Sequence, residues 1–533
     1  MTKPFVHIYD TTLRDGTQCE GVALSKTDKV RTAEKLDAFG IRYIEGGWPG
    51  SNPRDMAFFE AMRGRTLKQA RLTAFGSTRR ASCKPENDPN LQTLLEAETP
   101  VVTIFGKSWL LHVHDVLRVS PDTNLDLVGD SCSYLRDHDR EVVFDAEHFF
   151  DGYRDNPEYA LAVLERAVAY GATTVVLCDT NGGTLPHEIS QVCDVVAKRL
   201  PEEVVLGIHC HNDGECAVAN SLAAVNAGAR HVQGTINGFG ERCGNANLCS
   251  IIPALDIKMN YACLGEGALQ HLSELSMFTY DLANMHPDTR QPYVGRSAFA
   301  HKGGMHVNAV RKNPQTFEHI EPEAVGNQRR ILVSDLSGSS NIALKAAEHD
   351  IKLDSKGPQV KAILAELKRL EAEGYAYEAA DASFKLLVQK VLKKHKPFFD
   401  LEGFRVIVEK RGPDQPCLSE ATIKVSVEGE KELAAAEGDG PVNALDRALR
   451  KALIPFFPDI ASVHLRDFKV RILEGEDGSA ARTRVLIESG DGQEYWGTVG
   501  VSENIIEASW EALLDSVEYI LFRNSESDKT TRP

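Results

Sequence analysis

The sequence predicts an α/β protein: a (β/α)8 TIM barrel, then a helical connector, then an α+β C-terminal regulatory domain. Three observations carry the barrel. A helix, a stopping glycine and an apolar strand recur three times within residues 1–260. About eight apolar strands fit a length typical of this fold. Polar residues cluster directly after those strands, at the ends where such a barrel keeps its active site. A doubly wound parallel sheet is the alternative architecture for the same grammar.

The first strand, Phe5 to Ile8, runs into Asp10-Thr11-Thr12-Leu13-Arg14-Asp15-Gly16-Thr17-Gln18, a knot of acid, hydroxyl and guanidinium. Ser25 and Asp28 then read as a capping box for a helix with Val30, Ala33, Leu36 and Phe39 on one face, and Gly40 stops it before a strand at Ile41 to Ile44. The unit returns as helix Tyr159 to Tyr170, Gly171 and strand Thr173 to Leu177. It returns again as helix Ala217 to Ala227, Gly228 and strand Arg230 to Gln233. Further strands are expected at Leu72 to Phe75, Val101 to Phe105, Glu141 to Phe144 and Val204 to Ile208.

From Ala324 to Lys396 the pattern is helical, with Val360, Ile363, Leu364 and Leu367 on one face and a similar run from Phe384 to Leu392. A new grammar starts at Asp400. Strands at Phe404 to Val408 and Ile423 to Val427 precede a helix opened by Gly440-Pro441, with Val442, Leu445, Leu449 and Leu453 on one face. Strands at Val463 to Ile472, Arg482 to Glu488 and Tyr495 to Val499 precede a last helix, Glu503 to Phe522, which Ser502 is placed to cap. The expected domain limits are 1–290, 291–398 and 399–525, with 526–533 as a tail.

Composition excludes several classes of function. The chain has 533 residues, 42% hydrophobic and 26% charged, a balance for two or three domains with ordinary cores. A formal net charge of -17 and the lack of a long basic run argue against nucleic acid as a partner. No apolar run approaches a membrane span and no leader-like segment opens the chain, so no membrane association and a cytoplasmic location are expected. The 11 cysteines are scattered without a CxxC pair, as expected for reduced thiols.

The chemistry lies at the strand ends. Arg14 and Asp15 follow the first strand, Glu45 the second, Asp145 and Glu147 another, Asp179-Thr180-Asn181 another, and His209 and His211 close Leu206 to Ile208. An Arg-Asp dipeptide by itself is a surface ion pair or a cap. Two imidazoles at i and i+2 of a strand project to one face, and with Asp15 they read as a divalent metal site; alone they read as polar fillers. Mixed N/O ligation suits Zn, Mn or Mg better than a thiolate site would. The loop Asn237 to Asn245 carries three glycines, expected to let backbone approach a ligand closely. Its GxGxxxG spacing is not the dinucleotide GxGxxG, and no GxxxxGK[ST] phosphate loop occurs.

DTTLRDGTQ, LCDTNGG, GIHCHND and GFGERCGN, in this order, resemble the alpha-isopropylmalate synthase/homocitrate synthase family of metal-dependent acyl-CoA condensing enzymes. Residues Tyr43 to Pro53 and Lys312 to Ile320 are similar to the branch that takes pyruvate. The resemblance implies acetyl-CoA as co-substrate, a 2-oxo acid chelated to the metal, and a Claisen-type acyl transfer in isoleucine biosynthesis. Asn245 would join Asp15, His209 and His211 as a neutral oxygen ligand. Arg14 would stabilise the alkoxide that develops on the keto oxygen. Thr180 would hold the acceptor carboxylate, Gln18 and Glu45 would contact substrate, and Glu147 and His306 would manage the acetyl-CoA proton. Asn308 would orient His306, and His301 competes for its role.

GPVNAL and GVSENIIEASWEAL are similar to the regulatory domain of the same family, which implies a homodimer and isoleucine as effector. The chain departs from the branch pattern at Phe317, where a tyrosine is common, and at Ser337-Gly338-Ser339, where an arginine is common. Three other readings are weighed: 2-oxoisovalerate as acceptor, a carbon–carbon lyase on the same barrel, and a non-enzymatic amino-acid sensor built from residue 400 onward.

Overall fold

The computed structural model describes residues 3–333, 339–348, 351, 353–354, 357–473, 481–492 and 494–531. It divides into two compact units, residues 1–299 with 320–328, and residues 300–319 with 329–533.

In the first unit eight parallel strands close into a barrel in chain order. They are β1 (His7–Asp10), β2 (Tyr43–Gly47), β3 (Arg71–Ser77), β4 (Val101–Lys107), β5 (Glu141–Glu147), β6 (Ala172–Asp179), β7 (Val205–Cys210) and β8 (His231–Gly234). This settles the choice of fold against the doubly wound sheet. Closure is made by β1 against β8, with His7 opposite His231 and Asp10 opposite Gly234. Tyr9, Tyr43, Val101, Val143 and Val176 fill the lumen, while Ile8, Ile44, Ile104 and Phe144 face the surrounding helices.

The local signals act as read. The Ser25–Asp28 capping box forms in both directions, and Gly40 ends the helix Lys26–Phe39 at φ 101°. Several strands start or run on later than read: Phe5 makes only an isolated bridge to Ala262, and the ladder begins at His7, where β8 becomes available as partner.

The second unit starts with a two-stranded sheet, β9 (Ala300–His301) and β10 (Arg330–Ile331), and continues through helices Gly304–Lys312, Ser339–Glu348, Pro358–Ala372 and Asp381–Val391. Two three-stranded antiparallel sheets follow, each closed by a helix. The first is β11 (Asp400–Glu409), β12 (Leu418–Val427) and β13 (Glu430–Gly438) with helix Pro441–Leu453; the second is β14 (His464–Ile472), β15 (Thr483–Gly490) and β16 (Tyr495–Ser502) with helix Ile505–Thr531. Leu445, Leu449 and Leu453 are fully buried, as their spacing predicted.

Two expectations for this unit need correction. β13 was not foreseen, because Glu430–Gly438 is charged and alanine-rich; nine paired positions on β12 impose the strand. Ser502 does not cap the last helix. It ends β16, and Asn504 Oδ1 accepts from the Ile506 N–H at 2.8 Å in its place. Among the described residues no helix is long and apolar enough to cross a membrane.

Candidate active site at the barrel mouth

Asp15, His209 and His211 are brought together although nearly 200 residues of chain separate the acid from the imidazoles. Both Nε2 atoms face Asp15 Oδ2, at 3.5 Å from His209 and 3.9 Å from His211. All three residues are buried, and they form the one His/Cys/Asp/Glu group with metal-ligand spacing among the described residues. Burial favours neutral imidazoles: His209 is pushed down to about 3, by burial and then by His211, and His211 is lowered as well. Burial opposes ionisation of Asp15, but the Arg14 guanidinium, with a hydrogen bond from the Asn245 side chain, leaves its pKa below the usual value. The donors are therefore in the protonation states a cation needs.

The fourth expected ligand, Asn245, lies in the loop that follows β8. Asn245 is 2% exposed, its Nδ2 donates to the Phe239 carbonyl at 3.2 Å, and its Oδ1 is buried without a hydrogen-bond partner. The Asn245 side chain also hydrogen-bonds Asp15, and a buried amide oxygen left without a partner is a neutral donor of the kind a divalent ion takes. The loop glycines make this arrangement possible. A side chain at Gly240 would collide with the Asn245 amide, and one at Gly244, which sits at φ 90°, would strike the Gly238 carbonyl.

Behind the ligands runs a chain of hydrogen bonds that sequence reasoning missed. His209 Nδ1–H donates to Gln233 Oε1 at 2.9 Å, and Gln233 Nε2 donates to Asp145 Oδ1 at 3.0 Å. This fixes the tautomer that leaves the His209 Nε2 lone pair toward Asp15. Gln233 is fully buried on β8, and nothing in its local sequence marks it. Burial and then the Glu45 charge push Asp145 up to about 8.

Arg14 is held on three sides. Its Nε donates to Glu45 Oε1 at 2.6 Å, its NH1 lies 3.6 Å from Asp15 Oδ1, and its guanidinium carbon sits 3.8 Å from the Phe75 ring centre. Glu45 was expected to touch substrate; it is 0% exposed, and its other oxygen accepts from the Tyr9 hydroxyl at 2.6 Å. The correction follows from that burial: Glu45 acts on a ligand only through Arg14.

These side chains open into a cavity of about 230 Å³ that Gln18, Glu147, Thr180 and Arg242 also line. Thr180 Oγ1 accepts from the His148 N–H at 2.9 Å, which leaves its own O–H free to donate. Glu147 is paired with Lys107 across the β4–β5 ladder. An unforeseen aromatic wall completes the cavity: Trp48 meets Phe75 and Phe105 edge-on, at 5.8 and 5.6 Å between ring centres. Trp48 is fixed in turn by its indole N–H donating to Asn90 Oδ1 at 2.8 Å.

His306 and Asn308 lie exposed on helix Gly304–Lys312 of the second unit. Phe317, one of the two departures, stacks on His306 with ring centres 4.2 Å apart. His301 is buried, and its Nε2 is engaged with Glu318 Oε1 at 2.9 Å, while Glu318 also takes Arg329 through both oxygens. It is therefore occupied, unlike the exposed His306. Ser337 and Gly338 of the other departure lie outside the described residues.

A barrel whose mouth combines a carboxylate–imidazole cluster with a clamped guanidinium is an acyl-transfer or carbon–carbon lyase type of centre, and comparison with known proteins agrees. Residues 5–277 match the HMGL-like family model, 293–375 the homocitrate synthase post-HMGL domain-like model, and 378–521 the LeuA allosteric (dimerisation) domain model. The chain is 58% identical to the (R)-citramalate synthase of Geobacter sulfurreducens over 98% of both chains, and 56% identical to that of Aquifex aeolicus over the same shares. The 2-isopropylmalate synthase of Methanocaldococcus jannaschii is 30% identical over 98% of this chain and 96% of its own. The chain belongs to the HMGL-like family and, within it, to the family of the (R)-citramalate synthases.

Proposed function

We propose that the chain condenses acetyl-CoA with pyruvate and water to give (R)-citramalate and CoA, on a threonine-independent route to isoleucine. The observation that carries this reading is the convergence of Asp15, His209 and His211 beside a clamped Arg14 in one small cavity, with the unpartnered amide oxygen of Asn245 in the loop that follows β8. Those four residues would hold Zn, Mn or Mg, which when bound polarises the keto group of a chelated 2-oxo acid. Arg14, kept in place by Glu45, is the donor for the oxygen that gains charge as the new bond forms. The Thr180 hydroxyl donates to the acceptor carboxylate, and Gln18 contacts substrate at the rim. Glu147 takes the acetyl-CoA methyl proton, with His306 and Asn308 of the second unit assigned to the same step.

The aromatic wall favours pyruvate over 2-oxoisovalerate. Trp48, Phe75 and Phe105 brace one another, so a branched acceptor would have to displace packed rings, whereas a methyl group would not. The lyase reading leaves the two C-terminal sheets without a role. For these we propose a homodimer with isoleucine as effector. The LeuA dimerisation-domain match supports it, as do apolar side chains exposed on β11 and β14, where Val408 is 54% and Ile472 61% exposed.

A thiol-release assay with acetyl-CoA and a panel of 2-oxo acids tests the reaction. Pyruvate should be the best acceptor, and isoleucine should inhibit. Equal or better turnover of 2-oxoisovalerate would replace this reading by its alternative.

A further inference from the structure

Two cations stand along the aromatic wall of the barrel mouth, each paired with a carboxylate. Phe75 and Phe105 stack with ring centres 5.5 Å apart; Arg14 lies over Phe75, and the Lys107 ammonium sits 5.3 Å from the centre of Phe105. Arg14 pairs with Glu45, and Lys107 with Glu147. The two pairs differ in freedom. Glu45 is fully buried with both oxygens engaged, so the Arg14 pair is fixed. Glu147 keeps 24% of its side chain exposed and lines the cavity.

An ion pair between neighbouring strands is by itself a cross-strand contact and no more. Here both partners are also anchored from behind. Lys107 stands opposite Glu147 in the β4–β5 register. The buried Asn124 donates from Nδ2 to the Lys107 carbonyl at 2.8 Å and to the Tyr159 hydroxyl at 2.9 Å, and the buried Ser108 hydroxyl donates to the Glu147 carbonyl at 2.7 Å. The Lys107 ammonium has three donors, of which Glu147 Oε2 takes one.

On the proposed function, enolate formation creates a negative charge that neither arginine of the mouth is free to meet. When Glu147 takes the acetyl-CoA methyl proton, the C–H electron pair becomes the carbon–carbon π bond of the enolate. The C=O π pair moves to the thioester oxygen, which becomes anionic. Arg14 serves the keto oxygen, and Arg242 is held by both oxygens of Asp213 and by the Thr180 carbonyl. The same transfer makes Glu147 neutral and so weakens its hold on the ammonium beside it. Methyl group and thioester oxygen share one carbon, so an ammonium in contact with the base is within reach of that oxygen.

We propose that Lys107 is a catalytic residue, its ammonium donating to the thioester oxygen as the enolate forms. When the enolate carbon attacks the acceptor, its π pair makes the new bond and the thioester carbonyl re-forms. Lys107 regains its charged partner once Glu147 gives up its proton. The inference rests on the acetyl-CoA reading and on Glu147 as base.

Steady-state kinetics of full-length, metal-loaded Lys107→Met and Lys107→Gln test it, together with calorimetry of S-carboxymethyl-CoA. That compound carries an anionic oxygen close to where the thioester oxygen would lie; CoA, which has none there, is the control. Lys107→Met should lower kcat about 100-fold with the KM for acetyl-CoA changed less than about threefold, because the interaction forms only as charge develops. S-carboxymethyl-CoA should bind about tenfold more weakly, and CoA as before. Lys107→Gln should show the same pattern, and in both variants the electron paramagnetic resonance of bound Mn should respond to pyruvate as in the wild type. A kcat loss under about tenfold in both variants, a KM rise that accounts for the whole loss, or S-carboxymethyl-CoA bound as tightly as by the wild type would overturn the proposal. If the wild type releases CoA from acetyl-CoA with pyruvate and both variants do so equally well, the condensation reading stands and the Lys107 role falls. If the wild type releases none with any 2-oxo acid, the reading itself falls and takes this role with it.

Discussion

Two of the barrel's histidine pairs lie at opposite ends of its strands, and they have different fates. His209, near the end of β7, and His211, just past it, sit at the C-terminal mouth with Asp15 and Arg14 beside them. His7 and His231 open β1 and β8 at the opposite end, opposite one another in the ladder. Their neighbours are tyrosine rings: His231 lies 5.0 Å from Tyr9 and 5.6 Å from Tyr43, ring centre to ring centre. Both lower imidazoles also keep a buried nitrogen without a partner, and burial pushes His231 down to about 3, as it does His209. Desolvated imidazoles are thus common to both ends. What makes the upper pair a site is the ionised carboxylate and the guanidinium that holds it ionised.

That contrast is open to attack by mutation. The largest effect expected is from Asp15→Asn or His211→Ala, which should reduce turnover to background and abolish metal retention while circular dichroism stays that of a folded barrel. Arg14→Ala should keep the metal but lower turnover by about 100- to 1,000-fold, the scale for loss of one preorganised donor. A loss under about tenfold would remove Arg14 from the charge-stabilising role. Gln233→Ala, which frees His209 Nδ1, should weaken metal affinity by about 10- to 100-fold; an unchanged affinity would make the Asp145–Gln233–His209 chain mere packing.

The smallest effect belongs to the lower pair. The folded-state pKa of His231 lies at about 3, below its unfolded value of about 6.5, so its contribution to stability is complete above the unfolded value. It is lost progressively as pH falls toward the folded one. His231→Phe should leave turnover and metal content unchanged and flatten the fall in Tm with acidification over that window. A loss of metal in this variant would erase the distinction between the two ends.

Much of this was legible in the sequence because it is local. The capping box at Ser25, the glycine stops and the two imidazoles of one strand each depend on residues within a few positions, and all appear as read. What was not legible depends on neighbours brought in by closure of the barrel. Glu45 reads as a strand-end residue like Asp15, but β2 runs on to Gly47, and Tyr9 and Arg14 engage both of its oxygens. Gln233 and the ring trio Trp48, Phe75 and Phe105 come from separate strands and loops, so no spacing announces them. β13 shows the same limit in the second unit, where the partner strand overrides a weak local preference.

On the proposed function, Asp15 turns a pair of buried imidazoles into a metal centre for a 2-oxo acid. Electron paramagnetic resonance of Mn added to the metal-stripped, full-length enzyme tests it most directly. Bound Mn is expected, with a spectrum that shifts on addition of pyruvate, lost in Asp15→Asn and retained in His231→Phe. Mn bound equally well by Asp15→Asn, or a bound spectrum indifferent to pyruvate, would contradict it.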